Sequence, residues 1–279
     1  MKLQAVILDW AGTVVDFGSR GPVATLQKVF EDAGVSISVT EARQSMGIAK
    51  KSHIASILEI PRVKAEWTRL HRVPPSPSAL SELYAAFVPQ QIECLKQHAD
   101  LIPGVAEMAR SLQSRGVKIG STTGYTRPML DYLLDRARRQ SFEPDASVCP
   151  DEVSAGRPAP WMCYLNAVLL RVDPLWAMVK IGDTPSDIEE GLNAGMWTIG
   201  ITRTGNETGL TEAEWDAAPE AERSAILTAA ETRLREAGAH YIAPSVAECD
   251  QAIAEIEELI ESGERPDTLK KTLAADERG

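Results

Sequence analysis

A short apolar run at residues 5–8 stops at a carboxylate, Asp9, and gives way within four residues to Gly12 and Thr13. A run this short, broken by turn-forming residues, reads as a buried strand opening into a tight turn. The same event recurs: residues 117–121 run into Thr122, Thr123 and Gly124, residues 177–181 run into Gly182 and Asp183, and a further run at 197–201 follows. Helical patterns lie between, including residues 104–113 and 127–138. Strands alternating with helices predict an α/β fold on a doubly wound parallel sheet. Ligands in such sheets bind beyond the carboxyl ends of the strands, where Asp9, Thr123 and Asp183 all fall.

Residues 16–100 break the alternation and read as several helices, interrupted near Gly34, Pro61 and the prolines at 74, 75 and 77. The expected organisation is a catalytic core of residues 1–15 and 101–265 with an all-helical cap, 16–100, inserted after the first strand. Residues 206–239 read as polar helix, 241–242 as a last edge strand and 245–260 as a closing helix. From Glu261 onward the chain is too polar to pack, so residues 266–279 are expected to form a loose tail.

A net charge of −11 argues against a nucleic-acid partner, which needs clustered cations along a phosphate track. No stretch approaches the roughly 20 apolar residues that span a bilayer, and Asp9 interrupts the first apolar run too early for a secretion signal. Cys94, Cys149, Cys163 and Cys249 are scattered without zinc-like spacing, as expected of free thiols in a reducing cytoplasm.

Four motifs carry chemistry. In Asp9-Trp10-Ala11-Gly12-Thr13 the carboxylate can attack phosphorus while the turn's amides cradle phosphoryl oxygens. In Gly182-Asp183-Thr184-Pro185-Ser186-Asp187 two carboxylates at a strand end offer hard oxygen ligands to Mg²⁺. Thr122-Thr123-Gly124-Tyr125-Thr126-Arg127 presents a hydroxyl and a glycine amide at a helix start, and Gly156-Arg157-Pro158 delivers a guanidinium suited to a phosphoryl group. Taken singly, each has an ordinary structural reading as a capped turn, a solvated acidic loop, a helix cap or a surface arginine.

In this order on successive strand ends, the four together resemble the haloacid dehalogenase superfamily. The resemblance implies that Asp9 is the nucleophile, Thr123 and Arg157 hold the phosphoryl group, and Asp183 and Asp187 contact the metal with Asp9 and the Ala11 carbonyl. Phosphatases of the superfamily place a second aspartate two residues after the nucleophile, as the acid-base group for ester cleavage. Here that position is Ala11.

A substitute chemistry lies in the insert, at Met46-Gly47-Ile48-Ala49-Lys50-Lys51-Ser52-His53. A lysine that condenses with an aldehyde creates an electron sink, so a carbon bonded to phosphorus can leave as an enamine. If this segment is helical, Met46, Lys50 and His53 share one face and Lys51 points elsewhere. A lysine on a surface helix is ordinarily a solvated charge. The missing aspartate, the insert lysine, TTGYTR, GRPxPWMCY, GDTxSD and NAGMWTIG together resemble the phosphonoacetaldehyde hydrolase family over residues 1–260. That resemblance implies cleavage of a small phosphonate's carbon-phosphorus bond through a Lys50 Schiff base and an Asp9 aspartyl phosphate. It also implies Mg²⁺ as cofactor, Gly124, Met46, His53 and Tyr125 around the substrate, and a homodimer joined through the cap. A phosphomonoesterase of the same superfamily, a non-catalytic binding protein of this fold, and an enzyme for a different aldehyde phosphonate remain the alternatives.

Overall fold

The structure is a computed structural model and describes residues 1–267. Among them six strands form one parallel sheet: β1 (Ala5–Leu8), β2 (Lys118–Thr122), β3 (Ala146–Val148), β4 (Met178–Gly182), β5 (Trp197–Ile201) and β6 (Tyr241–Ala243), in the order β3-β2-β1-β4-β5-β6. Central β1 pairs with β2 and β4, with Leu8 opposite Ser121 and Ile181. Its four residues are all buried, which explains a continuous apolar run in place of alternation: both faces of the strand are covered. Val6 and Leu8 enter the larger hydrophobic core, whereas Ala5 and Ile7 meet Cys163, Ala167 and Leu170 on the opposite face. The chain moves outward from β1 to β2 and β3, then returns to β4 on the other side, so the crevice between the ends of β1 and β4 is the topological switch point.

Between β1 and α6 (Val105–Ser114) lie five helices: α1 (Arg20–Asp32), α2 (Val39–Arg43), α3 (Lys50–Glu59), α4 (Pro61–His71) and α5 (Pro77–Leu95). Gly34, Pro61 and the proline cluster fall at the breaks between them. Pro61 and Pro77 each open a helix, where a missing N–H costs nothing, and a reciprocal Ser38–Glu41 capping box starts α2. Leu26, Phe30, Ile54, Ile57 and Phe87 are buried among these helices.

The core continues with α7 (Arg127–Arg139), α8 (Trp161–Leu170), α9 (Pro185–Ala194), α10 (Glu212–Ala217), α11 (Glu220–Glu236) and α12 (Asp250–Ser262). The polar stretch read as helix from 206 is a loop, α10 and α11, with Pro219 as N-cap of the second. The chain does not loosen at Glu261: α12 runs through Ser262, the Arg265 guanidinium lies 5.4 Å from the Trp176 ring centroid, and the buried Pro266 accepts a hydrogen bond from His240. An arginine covering an aromatic face packs through a polar stretch without apolar residues. Of the tail expected at 266–279, residues 268–279 lie outside the described residues. No helix among the described residues is long and apolar enough to cross a membrane.

Candidate active site

Asp9 is fixed where β1 ends, its amide donating to the Ile181 carbonyl. The chain then turns back on the Trp10 carbonyl, which accepts from the amides of Thr13, Val14 and Val15. Gly12 has φ +88°, and a Cβ there would stand 2.3 Å from Asp183 Oδ2, so only glycine allows both the turn and the approach of the second carboxylate. Asp9, Asp183 and Asp187 each place an oxygen within 4.8 Å of the others, all buried. Burial, reinforced by neighbouring carboxylate charge, raises the pKa of Asp9 and drives that of Asp183 well above its ordinary value. Asp183 Oδ2 accepts from the Asn206 amide at 2.7 Å, while its buried Oδ1 has no hydrogen-bond partner among the described residues. Crowded, dry carboxylate oxygens with one lone pair set unclaimed are a donor set for a hard divalent cation.

Asp187 is held differently. Its Oδ1 accepts from Lys180 Nζ at 2.8 Å and lies 2.9 Å from Arg157 Nη1, and its Oδ2 accepts from Thr184 Oγ1 at 2.6 Å. Burial works against its charge, but Arg157 and Lys180 outweigh it and hold the carboxyl below the usual range. Arg157, before α8, also reaches Asp9 Oδ1 at 2.7 Å, Glu190 at 2.9 Å and Thr122 Oγ1 at 2.7 Å. With both oxygens of Asp187 engaged, it braces the guanidinium that faces Asp9.

The insert reaches the same place. Helix α3 begins at Lys50, after Gly47 with φ +93°, so the single helical face expected from Met46 to His53 does not form; the chain turns at Gly47. A side chain there would strike Thr184 Oγ1 and Ser186 Oγ at 2.3 Å. Met46 still meets the amine, with Sδ 4.0 Å from Lys50 Nζ, and the Tyr125 ring centroid lies 5.1 Å away. Lys50 is 5% exposed and Asp9 6%. Burial, helped by the Arg157 cation, pulls the lysine down to about 8 against the opposing pull of Asp9. Thr123 Oγ1 accepts from the Tyr125 amide at 3.1 Å, and the Tyr125 hydroxyl is buried without a hydrogen-bond partner among the described residues. Asp9, Ala11, Met46, Lys50, Thr123, Gly124, Tyr125, Arg157 and Asp183 all line one cavity. His53 does not: its Nε2 donates to the Ala42 carbonyl at 2.9 Å, tying α3 to α2, and burial drops its pKa to about 3, leaving it neutral.

A family model for haloacid dehalogenase-like hydrolases matches residues 3–195. A phosphonoacetaldehyde hydrolase-like protein of Syntrophobacter fumaroxidans is 44% identical over 264 residues, 95% of each chain. A phosphonoacetaldehyde hydrolase of Bacillus cereus is 43% identical over 257 residues, 92% of this chain and 97% of that one. The crystal structure of a phosphonoacetaldehyde hydrolase-like protein from Oleispira antarctica superposes with a TM-score of 0.94 at 37% identity, covering 95% of this chain and 96% of that one. The chain belongs to the phosphonoacetaldehyde hydrolase family of haloacid dehalogenase-like hydrolases.

In this hydrolase three groups at the site escaped the sequence reading. Lys180, in the middle of β4, is fully buried; its Nζ donates to Asp187 and Thr122 and lies 3.4 Å from Glu190, itself buried on α9. The signal was present, since a lysine inside a fully buried strand demands an internal partner. Ser19 is the third. It lines the cavity from the turn into α1 at φ +48°, its buried hydroxyl without a hydrogen-bond partner among the described residues.

Proposed function

We propose that this hydrolase cleaves phosphonoacetaldehyde to acetaldehyde and phosphate, with Lys50 forming a Schiff base and Asp9 acting as nucleophile. The observation that carries the reading is a buried amine, shifted to about 8, opening onto the same cavity as Asp9 where residue 11 is an alanine. The neutral Lys50 amine adds to the aldehyde carbon and water leaves, giving an iminium. Asp9 attacks phosphorus; the electron pair of the carbon-phosphorus bond moves into the enamine, and an aspartyl phosphate remains. Water hydrolyses the acyl phosphate to free Asp9 and phosphate. The enamine carbon takes a proton, and hydrolysis of the imine releases acetaldehyde and the lysine. Arg157, Thr123 and the Gly124 amide hold the phosphonate oxygens in this reading, supported by their lining the cavity that Asp9 and Lys50 share, with Arg157 supplying charge. Mg²⁺ is the cation proposed for Asp9, Asp183 and the Ala11 carbonyl, with Asp187 as a further, water-mediated contact because its own oxygens are engaged by Lys180 and Thr184; there it would offset the repulsion between Asp9 and the anionic substrate. Tyr125 and His53 frame the lysine, the first by its ring and the second by joining α3 to α2. A cytoplasmic setting and a homodimer formed through the insert belong to the same proposal.

Ala11 argues against a phosphomonoesterase, because its methyl group cannot protonate an ester leaving group. The deciding experiment measures phosphate released from phosphonoacetaldehyde with Mg²⁺, for the native chain and for Lys50→Arg, with and without borohydride. Loss of release in the variant, and borohydride inactivation with reductive labelling at Lys50, is the expected result. Activity that survives both treatments, or turnover of phosphate esters alone, overturns the reading.

A further inference from the structure

The segment that carries Lys50 to the core is held at several points. Arg157 Nη1 donates to the Gly47 carbonyl at 3.2 Å, Ser186 Oγ donates to the Met46 carbonyl at 3.3 Å, and Gly124 leaves room for the Ile48 carbonyl. One further attachment lies outside the cavity. Arg43, the last residue of α2, donates from Nη1 to both the backbone carbonyl and the side-chain Oδ1 of Asn206, the latter at 2.8 Å. Its guanidinium rests against Gly209, where a Cβ would approach Nη2 to 3.2 Å. Asn206 belongs to the loop after β5, and its own amide is the donor to Asp183 Oδ2. A charged donor on the insert is therefore one residue removed from a carboxylate of the proposed cation cluster.

We propose that Arg43 is a positioning residue: the latch that holds the insert closed, keeps the Lys50 amine over Asp9, and couples closure to the state of Asp183. Charge-assisted hydrogen bonds are stronger than a neutral one such as that from Ser186 to Met46, and the latch grips the loop by a main-chain oxygen that no side-chain change at Asn206 removes. Coupling between two sites is reciprocal. A cation that fixes Asp183 orders the Asn206 loop and favours closure, and closure in turn tightens the cation. The part concerning Lys50 rests on the Schiff-base reading; the latch itself does not.

The test is hydrogen exchange of the full chain, followed on peptides covering residues 44–52, with and without Mg²⁺. In the native protein Mg²⁺ should slow exchange there. In Arg43→Ala exchange should be at least tenfold faster and the Mg²⁺ response lost, while peptides from α4 and α5 stay protected as evidence of a folded insert. Arg43→Lys keeps the charge without the planar fork and should fall between; it carries the test alone if the alanine variant does not fold. Borohydride labelling of Lys50 in the presence of substrate should slow in parallel, with kcat/KM reduced about tenfold. Exchange at 44–52 that is the same in the native and Arg43 variants, with Mg²⁺ and without, overturns the latch. If instead exchange behaves as expected but Lys50 is never labelled in the native protein, the Schiff-base reading fails and the latch stands.

Discussion

Lys50 and Gly124 show how much rests on single residues. Imine formation needs the uncharged amine, and a lysine brought to about 8 by burial is neutral in roughly one molecule in ten at pH 7, against fewer than one in a thousand for an unperturbed amine. The kcat/KM for phosphonoacetaldehyde should therefore rise about tenfold per pH unit on the acid side and level off above pH 8. A pH-rate profile that keeps climbing toward 10 would mean an ordinary lysine and remove the basis for its role. Gly124 is tested by its own small size. A Cβ there would sit 2.4 Å from the Ile48 carbonyl oxygen and 2.8 Å from that of Gly47, so the insert backbone must back away from Gly124→Ala. We expect kcat/KM to fall at least tenfold with little change in melting temperature, because no buried side chain of either core is altered. An active variant would mean that the contact closes without constraint on the chemistry.

Among the elements, the two connections between insert and core meet at one ion pair. Asp16, at φ +58°, accepts from the Gly21 amide with Oδ2 at 2.9 Å and from His98 Nδ1 with Oδ1 at 2.8 Å. The hydrogen bond to Asp16, with a smaller contribution from Cys94, raises His98 to about 10. A histidine whose folded value lies above its unfolded 6.5 adds stability that is fully present below pH 6.5 and disappears as pH rises through about 10. The melting-temperature gap between the native chain and His98→Ala should be widest below pH 6.5 and narrow steadily toward pH 10; a gap independent of pH would mean that packing, not charge, holds the hinge. This pair was invisible in the sequence because its members are 82 positions apart. The strand ends bearing Asp9, Thr123 and Asp183 were legible because a buried parallel strand leaves an unbroken apolar run before its turn. Edge strand β3 left no such mark, having three residues of which two are only half-buried. The turn at Gly47 was missed for a related reason: glycine tolerates a helix as well as a left-handed turn, and only the approach of Thr184 and Ser186 from the core decides between them.

For the molecule as a whole, folding of the sheet brings together, at the adjacent ends of β1 and β4, carboxylates whose charges oppose one another. Asp183 lies well above its ordinary pKa, chiefly through burial and next through Asp9 and Asp187. A carboxyl raised in the folded state favours folding when protonated, and that contribution is lost as pH rises through the folded value. At neutral pH without a divalent cation, Asp183 is therefore a destabilising group. A cation that binds only the folded chain reverses this, adding about 2.7 kcal/mol at one hundred times its dissociation constant, or roughly 5 °C in melting temperature for a chain of this size. Asp183→Asn removes the charge and keeps an oxygen for the Asn206 amide. The variant should melt no lower than the native chain without cation at pH 7, and should lose most of the rise that Mg²⁺ gives the native chain. Scanning calorimetry of both proteins, with EDTA and with saturating Mg²⁺, separates the cases. A variant that melts several degrees lower in EDTA would show that the carboxylate stabilises the fold by itself, and an undiminished Mg²⁺ response would place the cation elsewhere.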